Sequence, residues 1–266
     1  MGRYIDMIDI ASREGSLNRS LERALHLILA MEASGQPMTL TELSKASQIA
    51  KSTVQRILSV LEKYNFVKKW QGRFHLGIIV LPLAYSFLVG NELTRVALPV
   101  LQELAQLSEE TASLFVRLDF KRILVQRVDG PYPLRFPLPV GQQLPLHIGI
   151  GKVLAAALPK DELQQLLKEV GSYKLATGKV ITPKMLLDEL EEIRRDGCSI
   201  SISERAIGSA SVSAPVNDPN GMTIAAIAVS GNTDRLNLKK LKHLSIEVRA
   251  AADAISKRHG AGSPVI

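Results

Sequence analysis

The sequence predicts an α+β chain of two domains. A winged helix-turn-helix covers residues 16–77, a linker helix covers 78–92, and a mixed α/β domain with a largely antiparallel sheet covers 93–259. Three observations predict this. Three helix signals follow one another closely between Leu21 and Tyr64 and end in a short basic hairpin. An apolar stretch, Ile78 to Val89, then joins two parts of different pattern. Beyond it, strand-like segments interleave with helical ones, as in a sheet with helices packed on it. At 266 residues with 46% hydrophobic side chains, the chain can build two cores.

The leader, to about Gly15, carries Arg3, Asp6, Asp9, Arg13 and Glu14 and has no apolar run of signal-peptide length. The first helix shows Leu21, Ala24, Leu25 and Ile28 at i, i+3, i+4, i+7 spacing, one apolar stripe, and Gly35-Gln36-Pro37 ends it. The second runs from about Thr41 to Ala46. Thr39 suits its N-cap, and Glu42 stands three residues on, as a capping box requires. The third runs from about Lys51 to Tyr64, with Asn65 where left-handed backbone is commonly needed. Phe66 to Lys69 and Arg73 to Leu76 then form a hairpin with Gly72 in its turn.

The third helix carries two opposed stripes. Val54, Ile57, Leu58 and Leu61 form the apolar one; Ser52, Gln55, Arg56 and Ser59 repeat that spacing two residues earlier, roughly 200° around. A polar face of this kind on an isolated helix is most simply solvated. Here it follows a short turn and precedes a basic hairpin, which is the setting of a DNA-reading helix. Lys51, Ser52 and Thr53 would meet phosphates or bases, Gln55 could pair with adenine and Arg56 with guanine. Lys68, Lys69 and Arg73 on the hairpin would reach the DNA backbone or minor groove. Between Ser16 and Leu76 nine basic residues face four acidic ones, within a chain of net charge +7. That excess fits a polyanionic partner.

In the second domain, Leu93 to Leu107 has helical spacing. Strands are expected at Ala112 to Leu118 and Ile123 to Val128, joined by Asp119-Phe120-Lys121. Helices follow at Lys152 to Leu158, Lys160 to Val170 and Pro183 to Asp196, the last with Thr182 as N-cap. Strands Cys198 to Ser203 and Ser209 to Pro215 precede the loop Asn217 to Gly221, the strand Thr223 to Ser230 and a closing helix, Leu238 to Lys257. The tail from Gly260 is expected to be disordered. Strand alternation puts Ser199, Ser201 and Ser203 on one face, and Ser209, Ser211 and Ser213 on another. Such faces either look into water or offer neutral hydroxyls to a bound carboxylate or hydroxyl group, with no fixed charge to bury. On these residues alone both readings stand.

Three segments resemble a known family. Leu40 to Gly77 (LTELSKASQIAKSTVQRILSVLEKYNFVKKWQGRFHLG) is similar to the winged helix of IclR-type transcription regulators, and Ser20 to Met31 resembles that family's first helix. Gly141 to Pro159 (GQQLPLHIGIGKVLAAALP) and Gly208 to Gly231 resemble parts of its effector domain. The resemblance implies a GAF-like α/β effector domain, a double-stranded DNA operator, a small organic effector and a homodimer or homotetramer. It also places Ser201 and Ser211 at effector-pocket positions, where family members often carry an acid and a cysteine. His147, Gly149, Ile150, Ser209 and Ser213 would complete the wall, with Leu134 and Phe136 as apolar cover. His147 could equally be a structural histidine bonded to backbone.

Several chemistries are set aside. Gly149-Ile150-Gly151-Lys152 lacks the first glycine and the Ser/Thr of a phosphate loop. The five histidines are scattered without metal-ligand spacing, and Cys198 is the sole cysteine, so neither a metal centre nor an intramolecular disulfide is expected. No Gly-x-Ser-x-Gly elbow surrounds Ser209 or Ser211. Glu109-Glu110 and Glu191-Glu192 read as solvated positions. The dozen or so residues of Ile78–Val89 fall short of the roughly 20 that a membrane span needs. A cytoplasmic regulator without cofactor is the expectation. A sequence-tolerant nucleic-acid binder and an enzyme acting on a small acid are the alternatives.

Overall fold

The computed structural model describes residues 18–132 and 138–260. The leader, the tail beyond Gly260, and both Leu134 and Phe136 lie outside the described residues. The chain divides into two compact units, with the boundary between Phe87 and Leu88.

In the first unit, α1 (Arg19–Ser34) starts at Asn18, whose side chain accepts the Leu21 N–H, and stops at Gly35, left-handed at φ 61°. The side it buries overlaps the i, i+3, i+4 stripe only in part. Leu27 and Met31 are buried and Ala24 and Ile28 pack on the same core, whereas Leu21 and Leu25 are 56% and 50% exposed. The helix is apolar on more than one side, and the inward stripe runs through Ala24, Leu27, Ile28 and Met31. α2 (Leu40–Ser47) carries the expected capping box: the Glu42 N–H donates to Thr39 Oγ1 and the Thr39 N–H to Glu42 Oε2, the latter at 2.7 Å.

α3 (Lys51–Lys63) follows after three residues, the first of which, Gln48, is left-handed. Ser44 Oγ donates to the Ile49 carbonyl at 2.6 Å and pins that turn. The three-stranded sheet has order β1 (Met38–Thr39), β3 (Arg73–Leu76), β2 (Val67–Trp70). Its turn holds Gln71 and Gly72 both at positive φ, the geometry whose twist matches a two-residue hairpin. The two-residue β1 has too little sequence to show a period. Leu27, Leu43, Val54, Leu58 and Phe74 form the small core.

α4 (Val80–Gly90) is apolar along its length and buries no residue. Leu81, Leu83, Tyr85, Phe87 and Val89 are all exposed.

The second unit is a six-stranded antiparallel sheet between two helical layers. Strand order is β6 (Gln143–Pro145), β5 (Lys121–Val128), β4 (Thr111–Leu118), β11 (Thr223–Asn232), β10 (Ser209–Asn217), β9 (Ser199–Ile202). One face packs on α5 (Glu92–Ser108) and α9 (Leu238–Gly260) through Leu114, Val212, Ala214, Ile227 and Val229. The other face presents Phe115, Leu124, Ala226 and Ala228 to α6 (Gly151–Ala156), α7 (Lys160–Val170) and α8 (Pro183–Asp196). A two-stranded ribbon, β7 (Tyr173–Lys174) with β8 (Val180–Ile181), lies between α7 and α8 in the chain and was not expected.

Two further expectations are corrected. Ser203 leaves the strand with φ 54°, so the alternating face ends at Ser201. Glu110 is not solvated: it is fully buried, and Arg235 grips it through Nε and Nη2 at 2.6 and 2.9 Å. Burial of that carboxylate is tolerable only because a bidentate guanidinium replaces its hydration.

Candidate functional site

Two surfaces gather the expected residues. On the first unit, α3 buries Val54, Leu58 and Leu61 and leaves Lys51, Ser52, Gln55, Arg56 and Ser59 exposed, with Thr53 half-buried. Its N-cap, Ala50, has no side chain able to accept, so no side chain caps the first turn. That end carries partial positive charge and suits a phosphate. On the hairpin, Lys68 and Lys69 are exposed and stand opposite His75 and Phe74. The Lys69 ammonium lies 5.6 Å from the Phe74 ring centre, and its backbone N–H donates to Glu62 Oε1.

Arg73 differs from its neighbours. Its Nη1 donates to the Pro37 carbonyl at 2.9 Å and to Glu42 Oε2 at 3.3 Å, so part of its function is to tie the hairpin to the α2 cap. Trp70, 60% exposed at the hairpin tip, was not singled out from sequence. An exposed tryptophan beside two lysines is the signal that was available.

The second unit holds a cavity of about 70 Å³ on the helical face of its sheet nearest α6. Gly149, Ile150, Ser201, Ser209 and Ser211 line it, as expected. Register explains the grouping, because Ser211 pairs directly with Ser201 across β10 and β9. Ser209 Oγ donates to the Ala206 carbonyl at 2.7 Å, which leaves its lone pairs. Ser113 and Ser230 add further hydroxyls, while Phe115, Leu124 and Leu138 give an apolar side.

Ser213 does not line the cavity. It sits deeper, opposite Ser199, and the hydroxyls of both are buried with no partner among the described residues. His147 also stands behind the wall, edge-on to Tyr173 with ring centres 4.6 Å apart, while the Tyr173 hydroxyl donates to its carbonyl at 2.8 Å. Burial, then the Arg122 charge, lower the His147 pKa, so the ring is neutral at pH 7.

The charged members of this site escaped the sequence reading. Arg122 and Arg205 both line the cavity. Arg122 is almost fully buried, and that burial, followed by the Arg205 charge, holds its pKa down to about 9. Behind Gly149 lies a buried ionic cluster. Lys152 donates to Glu204 and Glu189, and Glu204 Oε2 accepts the Gly149 N–H at 2.9 Å.

Lys152 therefore serves the fold from inside a helix buried on all sides. Gly151 is required by close approach, since a Cβ there would meet Arg122 Nη1 at 2.5 Å and the Leu146 carbonyl at 2.6 Å. A lone basic residue within a run of apolar ones, as at Lys152, was a readable clue, whereas Arg122 follows Lys121 and gave none. Among the described residues no group of histidines, cysteines and acids could hold a metal, and no helix is long and apolar enough to cross a membrane.

Comparison with known proteins agrees with this architecture. The IclR helix-turn-helix domain model matches residues 20–69, and the model of the C-terminal region of bacterial IclR transcriptional regulators matches residues 85–257. The HTH-type transcriptional repressor AllR of Salmonella typhimurium is 28% identical over 250 residues, covering 93% of this chain and 92% of the relative. The transcriptional repressor IclR of Escherichia coli K12 is 27% identical over 247 residues, covering 91% and 90%.

Among solved structures, a transcriptional regulator from Rhodococcus sp. RHA1 is 28% identical with a TM-score of 0.73, covering 91% of this chain and 98% of the other. An IclR homologue from Microbacterium hydrocarbonoxydans, solved with 4-hydroxybenzoate, is 19% identical with a TM-score of 0.74, covering 91% and 100%, and so shares the fold. With a family model over most of its length and a second over its N-terminal unit, the chain belongs to the IclR family of bacterial transcriptional regulators and carries that family's helix-turn-helix domain.

Proposed function

We propose that this chain is an operator-binding repressor whose grip on DNA is set by a small carboxylate-bearing effector. The observation that carries the DNA half is the outer face of α3. It presents Lys51, Ser52, Gln55 and Arg56 to solvent at the uncapped end of a helix whose opposite side is fully buried. Arg56 and Gln55 read base edges, with Ser52 and Thr53 on phosphates or bases. Lys51, Lys68, Lys69 and the free face of Arg73 hold phosphates. Repression as the direction of control is supported by the two curated relatives, both named as repressors.

The effector occupies the cavity bounded by Gly149, Ile150, Ser201, Ser209 and Ser211. Hydroxyls and guanidinium groups on one side and Phe115 and Leu124 on the other suit an acid with an apolar part. The 4-hydroxybenzoate of the Microbacterium homologue supports a carboxylate.

Operator recognition needs more than one winged helix, so the working species is a homodimer or a pair of them. The exposed apolar helix α4 is the surface to be covered by a second copy. It is also the covalent path along which effector binding shifts the population of DNA-competent dimers.

The test is an anisotropy titration with a duplex selected from random sequence by the protein itself, against a scrambled duplex at physiological salt. A specific regulator prefers the selected duplex by at least about 10³-fold. A preference within a few-fold, lost as salt rises, would instead mark a sequence-tolerant binder and end the operator reading. Recovery of the effector chemically unchanged excludes turnover by an enzyme.

A further inference from the structure

Most buried or half-buried cations of the second unit described above have a carboxylate. Lys152 has Glu189 and Glu204, Arg235 has Glu110, and Arg127 has Asp129. Three guanidinium groups line the cavity; Arg127 is paired with Asp129, and the other two, Arg122 and Arg205, break this pattern. Arg122 is 2% exposed and makes no ion pair among the described residues. Its Nη1 donates to the carbonyls of Pro145 and Ile148, its Nε is buried without a partner, and its guanidinium lies 5.6 Å from the Phe115 ring centre.

Arg205, exposed on the loop after β9, has neither an ion pair nor a hydrogen bond among the described residues. It lies close enough for its charge to act against protonation of Arg122. Glu204, the one acid that favours the Arg122 charge, is already committed to Lys152 and the Gly149 amide.

A desolvated cation without a counter-ion is costly, and a second like charge on the same wall raises the cost. Both costs vanish when an anion sits between them. Guanidinium forks match carboxylates in bidentate fashion. Ser201 and Ser211, whose hydroxyls have no partner among the described residues, can serve the remaining oxygens. We propose that Arg122 and Arg205 are the two positive poles of this cavity and that its ligand is a short dicarboxylate, taken in preference to a monocarboxylate of equal length. This rests on reading the cavity as the effector site.

Calorimetric titration of the full chain with succinate, butyrate and inorganic phosphate tests it. Wild type, Arg205→Gln, Arg205→Lys and Ser211→Val are compared. Arg205 is the safer target because it is exposed, whereas Arg122 holds the Pro145–Ile148 segment. Succinate should bind wild type about tenfold more tightly than butyrate or phosphate, a step of about 1.4 kcal/mol. Arg205→Gln should erase that preference by weakening succinate alone, and Arg205→Lys should keep most of it. Ser211→Val should weaken both acids alike.

Equal binding of butyrate and succinate to wild type, both lost in Ser211→Val, overturns the dicarboxylate while leaving the cavity as effector site. Phosphate binding as tightly as succinate also overturns it, since charge alone would then suffice. If neither acid binds at millimolar concentration, the cavity reading and the dicarboxylate fall together.

Discussion

Arg56 and Lys69 illustrate how two exposed basic residues of one domain differ in what they can do. Arg56 projects from the outer face of a helix pinned by Val54 and Leu58, the position we propose for base reading. Lys69 rides on a hairpin strand, where we propose that it holds phosphates. Arg56→Ala should cost about 1–3 kcal/mol at one base position, whereas Lys69→Ala should weaken all duplexes alike and flatten the salt slope by about one. Competition titrations against single-base operator variants separate the two, and equal loss of specificity from both would overturn the assignment of α3. At the other unit, Glu110 is worth more to the fold than any surface charge. Glu110→Ala removes the bidentate partner of the Arg235 guanidinium, which water can still reach, and should lower unfolding free energy by about 1–3 kcal/mol in urea melts. His147 adds a dependence on pH. Burial and the Arg122 charge push its pKa below the ordinary 6.5. The unfolded chain therefore binds the proton more readily than the native one. The stability His147 confers is complete above the unfolded value and is lost as pH falls through it towards the lower folded value. The urea midpoint should drop between about pH 7 and pH 5, and drop less in His147→Gln, since glutamine removes the titration. An identical drop in both proteins would assign the effect elsewhere.

Elements show what a sequence can reveal of itself. The capping box at Thr39 and Glu42, the left-handed Asn65 and the hairpin turn at Gly72 were all legible, because each depends on a few adjacent residues. Thr39→Ala should accordingly cost about 1 kcal/mol of stability, read as a lower melting temperature with no change in the m-value. Strand alternation made two serine faces legible, one with Ser201 and one with Ser211, but only the register of β9 on β10 sets the two residues opposite each other. What stayed hidden depends on distant partners. Nothing near Glu110 announces Arg235, which lies 125 residues away, and nothing near Lys152 announces Glu204. Arg122 follows Lys121 at the start of a strand, so its charge reads locally as one of a basic pair at a turn rather than as a cavity wall. The apolar character of α1 on more than one side misled in part for a related reason, since periodicity finds a stripe but cannot say which side packs inward. α4 is the opposite case. Its sequence is apolar throughout, yet none of its residues is fully buried, and Leu81, Leu83, Tyr85, Phe87 and Val89 are exposed.

At the scale of the whole molecule, the effector and the operator are two ligands of one protein and must be coupled symmetrically. If the effector lowers operator affinity by some factor, the operator lowers effector affinity by the same factor, because both bias one equilibrium between DNA-competent and incompetent dimers. Couplings of this type are typically about 1–3 kcal/mol, or roughly 5–150-fold. The dimer sets the condition for this, since an exposed helix bearing Leu81, Leu83, Tyr85 and Phe87 is costly in water and is relieved when a second copy covers it. Replacing Leu83 and Phe87 by lysine should therefore give a monomer in light scattering whose C-terminal unit still binds the small acid. Both lysines would stand on α4, outside the cavity lining and outside α3. In that monomer the operator should bind at least about tenfold more weakly than in the dimer, as expected when two half-sites are no longer held by one particle. The acid should then have no effect on what DNA binding remains, because no dimer equilibrium is left to bias. An acid that still released DNA from the monomer would show the coupling to run within one chain, and α4 would lose its place in the mechanism.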